Sequence, residues 1–167
     1  MAEVGFIGHC ESHYVRCLKA AGQATGQLKI WGQGWVRHSK FFRWAKPYVQ
    51  GDGVWGEEYP KALCSVKICL GLLSKLIPET ATTRTFEIPA CGAFLLAERT
   101  DEHQGLFEEG SEAAFFSSEE ELIDKIRYYL QQDAERARIA RAGRQRCLSS
   151  GYSNTDRLQS MLKCLAS

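Results

Sequence analysis

Apolar residues fall in short continuous runs along the first two thirds of the chain, with segments of helical spacing between them. Val4-Gly5-Phe6-Ile7-Gly8 opens the series and reads as a buried strand ending in a glycine turn. Residues 12–24 carry Tyr14, Val15, Leu18 and Ala21 on one helical face. Residues 28–31 form a second short apolar run, closed by Gly32-Gln33-Gly34. Strand, helix and strand within about thirty residues make a βαβ unit, and its default is a right-handed crossover between parallel strands.

Further along, residues 40–44 read as a short helix and Gly51-Asp52-Gly53 as a turn. Residues 57–65 read as a helix with Pro60 in its first turn, where proline is tolerated. Residues 66–72 are apolar on both faces apart from Lys67, the pattern of a parallel strand covered on both sides. A polar loop over 74–83 leads into a short helix over 85–91, which Gly92 ends. Residues 93–97 are another buried strand, 105–110 a loop or turn, and 113–116 a last strand.

The remainder is helical. Ser118 with Glu121 three positions on is a capping signature, and Leu122, Ile126, Tyr129 and Leu130 give that helix its apolar stripe. A second helix covers 134–146. Gly151 breaks it, and Asn154 or Thr155 can cap a final helix carrying Leu158, Met161, Leu162 and Leu165. About five strands alternating with helices define the α/β class. The expectation is one Rossmann-like domain over residues 1–167: an open parallel sheet, helices on both faces and a helical C-terminal tail. Ligands in such sheets bind beyond the carboxyl ends of the strands, so function belongs to the loops 8–13, 32–35, 74–84 and 98–103.

Composition narrows the function. The 167 residues suit one domain, and 44% apolar with 25% charged residues is ordinary globular usage. A net charge of +1 provides no global field for nucleic acid or an acidic membrane. The arginine-rich stretch 136–146 reads as a solvated helix face with ion pairs such as Glu135–Arg138. Seven cysteines without a C-x-x-C pair read as free thiols of a cytoplasmic protein, and no Cys/His spacing suggests a metal. No run approaches the ~20 apolar residues of a membrane span, and the N-terminal apolar run is too short for a signal peptide. Trp31, Trp35, Trp44 and Trp55 read as core or domain-interface residues rather than sugar platforms.

The segment Thr82-Thr83-Arg84-Thr85-Phe86-Glu87-Ile88-Pro89-Ala90-Cys91-Gly92, followed by Ala93-Phe94-Leu95-Leu96-Ala97-Glu98-Arg99-Thr100, resembles the CgeB-like (spore maturation) branch of the family-1/family-4 glycosyltransferases. Gly53-Val54-Trp55-Gly56-Glu57-Glu58-Tyr59, Glu102-His103, Leu106 to Gly110, Phe115 to Ser118 and Gly151 to Asn154 are similar to the same branch. The likeness covers the C-terminal, donor-binding domain of a two-domain GT-B enzyme. It implies that Glu87 accepts hydrogen bonds from the ribose hydroxyls of a nucleotide-diphosphate sugar, with Glu79, eight positions earlier, near the donor sugar. Arg84 would clamp the diphosphate. Thr83 and Thr85, beside Thr82, would add donors at a helix N-terminus. Lys75 would add charge, and His9 would face the same phosphates from the first loop. The branch carries an arginine where Tyr14 stands; Arg16 is the nearest substitute.

The resemblance implies no cofactor and no metal, and no Asp-x-Asp pattern is present. It names no catalytic residue. The chain is expected to begin at the first strand of the second domain, without the N-terminal acceptor domain. It would then need that domain or a partner chain, and would be a weak or inactive transferase alone. A non-catalytic, Rossmann-like interaction module with a vestigial pocket, self-associating as a homo-oligomer, is the alternative.

Overall fold

The computed structural model of the chain describes residues 2–35 and 43–165. Its centre is one six-stranded sheet in the order β3-β2-β1-β4-β5-β6, with every neighbouring pair parallel. The strands are β1 (Ala2–Ile7), β2 (Leu28–Trp31), β3 (Val49–Gly51), β4 (Val66–Gly71), β5 (Leu95–Glu98) and β6 (Ala114–Phe116). Between and after them lie α1 (Ser12–Thr25), α2 (Glu58–Cys64), α3 (Thr83–Ala90), α4 (Asp101–Leu106), α5 (Glu119–Gln131), α6 (Asp133–Ser149) and α7 (Asn154–Leu165). The expected Rossmann-like α/β fold is present.

Side-chain alternation along the strands builds two separate core layers. Val4, Phe6, Ile30, Ile68, Leu70, Leu96 and Phe116 pack on one side with Leu18 of α1 and Leu122 and Ile126 of α5. Leu95, Ala97 and Phe115 face the other side, where they meet Ile88 of α3, Cys147 of α6, and Phe107. Each fully buried Leu, Ile or Phe contributes roughly 1.5–3 kcal/mol of transfer free energy. Those residues therefore drive the layering.

Several expectations are corrected. β3 is a sixth strand, and Gly51, read as part of a turn, is its last residue, paired with Trp31. Residues 101–106 form α4, where the glycine at 105 suggested a loop; Thr100 caps it by accepting from the His103 amide at 3.0 Å. α3 begins at Thr83 rather than Thr85, because Thr82 and Thr85 form a reciprocal capping box. Of the helix read at 40–44, residues 40–42 lie outside the described residues, while Arg43 and Trp44 sit in a turn. Glu135 accepts from the Tyr128 hydroxyl and Arg138 donates to the Gly110 carbonyl, so the two do not pair.

Candidate functional site

The sheet order reverses between β1 and β4, whose onward connections run in opposite directions. Loops at this switch point diverge and leave a crevice. A cleft of about 550 Å³ opens there, lined by Gly8 and His9 after β1, Gly32 and Gln33 after β2, Asp52 to Gly56 after β3, Tyr59 of α2, and Thr83, Arg84 and Glu87 of α3. The floor is tight. Gly32 has φ +147°, and a Cβ on it would lie 1.9 Å from the Gly8 carbonyl oxygen. Trp35 donates from its indole nitrogen to that same carbonyl at 2.8 Å, locking the two loops together.

α3 presents the polar wall. Glu87 accepts from the Tyr59 hydroxyl at 2.6 Å. Burial and the Glu87 carboxylate push the Tyr59 pKa up, so the phenol stays protonated and acts as a donor. The Nε of Arg84 is buried with no hydrogen-bond partner among the described residues. A buried guanidinium nitrogen left unpaired is costly. An acceptor arriving in the cleft would relieve that cost.

Behind the cleft a second polar cluster ties the loops after β1, β4 and β5. Glu11 accepts from the Ser74 hydroxyl at 2.7 Å and the Lys75 amide at 2.8 Å, with His9 Nε2 at 3.5 Å. Burial opposes ionisation of Glu11, but the Lys75 amide, Ser74 and His9 together hold its carboxyl below the usual range. Glu98 accepts from the Leu73 amide at 2.7 Å, from the Lys75 ammonium at 2.6 Å and contacts His13 Nε2 at 2.9 Å. The Glu79 carboxylate accepts from the Ser74 amide at 2.7 Å and so closes its own loop.

His103 is fully buried and stacks on Phe115. Its Nδ1 lies 2.6 Å from the Glu98 carbonyl and must donate to it, which makes Nε2 the acceptor for the Thr85 hydroxyl at 2.9 Å. Thr85 in turn accepts from the Thr82 amide at 3.0 Å. Burial keeps the His103 pKa below its ordinary value, consistent with the neutral ring this chain of bonds requires.

The structure thus divides the seven residues singled out in the sequence. His9, Thr83, Arg84 and Glu87 share the cleft. Lys75, Glu79 and Thr85 do not line it: Lys75 is drawn to Glu98, Glu79 holds the Ser74 amide, and Thr85 is buried in the His103 chain. Tyr14, at the position where an arginine was expected, is fully buried, and its hydroxyl has no hydrogen-bond partner among the described residues. Trp35 is core, whereas Trp55 is 70% exposed on the cleft rim. Tyr59, Asp52 and Val54 lie outside the loops to which the sequence assigned function, whereas Gln33 lies in the 32–35 loop that it did assign. The signal for Val54 and Tyr59 was the Gly53 to Tyr59 block that shares in the family resemblance; Asp52 had none, because β3 before it did not read as a strand. Among the described residues no group of three or more His, Cys, Asp or Glu is arranged to hold a metal, and no helix is long and apolar enough to cross a membrane.

Solved structures that superpose on this chain include glycosyltransferases. Anabaena Alr3699/HepE in complex with UDP-glucose superposes with a TM-score of 0.77 at 16% identity, over 98% of this chain and 48% of its own. A point mutant of S. aureus TarM, in complex with fondaparinux, alpha-GlcNAc-glycerol and UDP, gives 0.73 at 13% identity, over 99% and 36%. The C-terminal domain of the glycosyl transferase group 1 family protein LpcC from Francisella tularensis gives 0.63 at 12% identity, over 92% and 87%. The chain therefore spans about half the length of HepE and most of the isolated LpcC domain. No curated protein matches the sequence. Residues 12–163 match the family described as glycosyl transferase-like, and with nearly the whole chain inside that match the protein belongs to this family.

Proposed function

We propose that the chain is the donor-binding half of a CgeB-like glycosyltransferase, holding a uridine diphosphate sugar in the cleft between α2, α3 and the loops after β1, β2 and β3. The observation that carries the reading is the α3 wall, where the Glu87 carboxylate faces the same cleft as Arg84 with its unpartnered Nε. Glu87 would accept from the ribose hydroxyls, and Arg84 would donate to the diphosphate. Thr83 and the first amides of α3 would add donors for the phosphates, and His9 would face them from the opposite wall. In that arrangement the protein neutralises the departing nucleotide diphosphate with its own cations and amides, without a metal. The UDP and UDP-glucose complexes of HepE support uridine as the base. Acceptor binding and a general base belong to a second domain or partner, and the expected setting is cytoplasmic.

The test is calorimetry against UDP, GDP, ADP and CMP, and their sugars, with the wild type and Glu87→Ala. The reading expects UDP binding that weakens about tenfold or more in the variant, the scale of a lost hydrogen bond to a charged group. Unchanged affinity in Glu87→Ala removes Glu87 from the ribose site.

A second reading is favoured by α7, where Leu158, Met161, Leu162 and Leu165 are all exposed. Such a stripe suits a non-catalytic association module. A chain that self-associates and is blind to every nucleotide would support it; a nucleotide-binding monomer would not.

A further inference from the structure

Glu87 needs more than a place in the cleft. A glutamate on a helix surface has three rotatable bonds and several staggered rotamers, so a free carboxylate spreads over many orientations. Here one partner restricts it. Tyr59 of α2 reaches across to α3 and donates to Glu87 Oε2 at 2.6 Å, linking positions 28 apart in sequence. Among the described residues it is the one side chain that donates to this carboxylate. The tyrosine is itself held, because its ring packs against the core layer under α3. Both residues line the same cleft.

The chemistry of the pair is complementary. A carboxylate has two oxygens and about four lone-pair sites, so one bond from the phenol leaves capacity for two ribose hydroxyls. The phenol stays protonated at neutral pH, since burial and Glu87 both disfavour its ionisation.

We propose that Tyr59 is the positioning residue for Glu87: its hydroxyl fixes the carboxylate in the cleft wall and so sets selectivity for a ribonucleotide over a deoxyribonucleotide. The proposal rests on the donor-binding reading, and its test separates the two. Affinities for UDP and for 2′,3′-dideoxy-UDP are measured on the full chain for the wild type, Tyr59→Phe, Glu87→Ala and the double variant, with thermal midpoints as a check on the fold. Tyr59→Phe is expected to weaken UDP about tenfold and to leave dideoxy-UDP within about twofold, and in the Glu87→Ala background it should add nothing. A merely structural tyrosine would weaken both ligands equally, and that result overturns the proposal. Tighter UDP binding in Tyr59→Phe also overturns it, since the phenol would then compete with ribose. Wild-type protein that binds UDP and dideoxy-UDP alike removes Glu87 from ribose recognition and the proposal with it. Wild-type protein that binds no nucleotide ends the donor reading itself.

Discussion

The ammonium of Lys75 and the carboxylate of Glu98 meet at 2.6 Å behind the cleft, where Glu98 also accepts from the buried Leu73 amide. The two residues are unequal: Lys75 is half exposed and Glu98 is nearly buried. Glu98→Ala is expected to cost about 1–3 kcal/mol, because the Leu73 amide loses its acceptor. Lys75→Ala should cost less than about 1 kcal/mol, as exposed ion pairs do. Urea denaturation measures both. UDP affinity should be unchanged in Lys75→Ala, and a loss of about tenfold, the scale of a charge-assisted hydrogen bond, would return Lys75 to the donor site.

Arg84 makes the opposite case. Its Nε has no partner among the described residues, so Arg84→Met should leave the urea midpoint unchanged or raise it slightly. The same variant should weaken UDP about tenfold, the scale of one charge-assisted hydrogen bond, and leave the nucleoside uridine unaffected. Equal loss for both ligands would mean that Arg84 shapes the cleft rather than meeting phosphate.

Gly32 cannot carry a side chain without moving the floor of the site. Its positive-φ backbone costs a non-glycine residue about 1–3 kcal/mol, and a Cβ would also collide with the Gly8 carbonyl. Gly32→Ala is expected to lose at least about 2 kcal/mol in urea denaturation. A loss under about 0.5 kcal/mol, the range of an ordinary surface substitution, would show that the two loops can part freely.

His103 gives the fold a pH response of known sign. Burial holds its pKa below the ordinary value of 6.5, so the unfolded chain takes up a proton first as pH falls. Its contribution is fully present above pH 6.5 and is lost as the pH drops towards the folded pKa. Comparing the urea midpoints of wild type and His103→Asn from about pH 8 to about pH 5, the histidine range, should show a steeper acid loss in the wild type. Parallel curves would place the titration elsewhere.

How much of this was legible in the sequence depended on how local the cause was. β4 was visible because Val66, Ile68, Cys69 and Leu70 are buried in one short run. α5 was visible because Ser118 caps it and Leu122 and Ile126 repeat at helical spacing. β3 was not, since Val49-Gln50-Gly51 has no apolar run and becomes a strand only by pairing with β2. α4 was hidden by Gly105 and by the lack of an apolar stripe, with His103 its one buried residue. Within the site, Thr83, Arg84 and Glu87 were legible from one contiguous motif at a helix start. The fates of Lys75 and Glu79 were not, because Glu98 and the Ser74 amide compete for them across the loop. Tyr59 was invisible as a partner of Glu87, since that contact exists only once α2 and α3 are both docked on the sheet.

The pairing of β1 with β4 sets Val4 opposite Ile68, joining the ends of a long loop of chain at the middle of the sheet. Closing so long a loop is entropically slow and is repaid only when the contacts beyond it form. The crevice takes its walls from both sides of that closure, so no half-folded chain contains it. A nucleotide held as proposed would then slow unfolding and leave the rate of folding unchanged, because its seat does not exist until β1 and β4 have met.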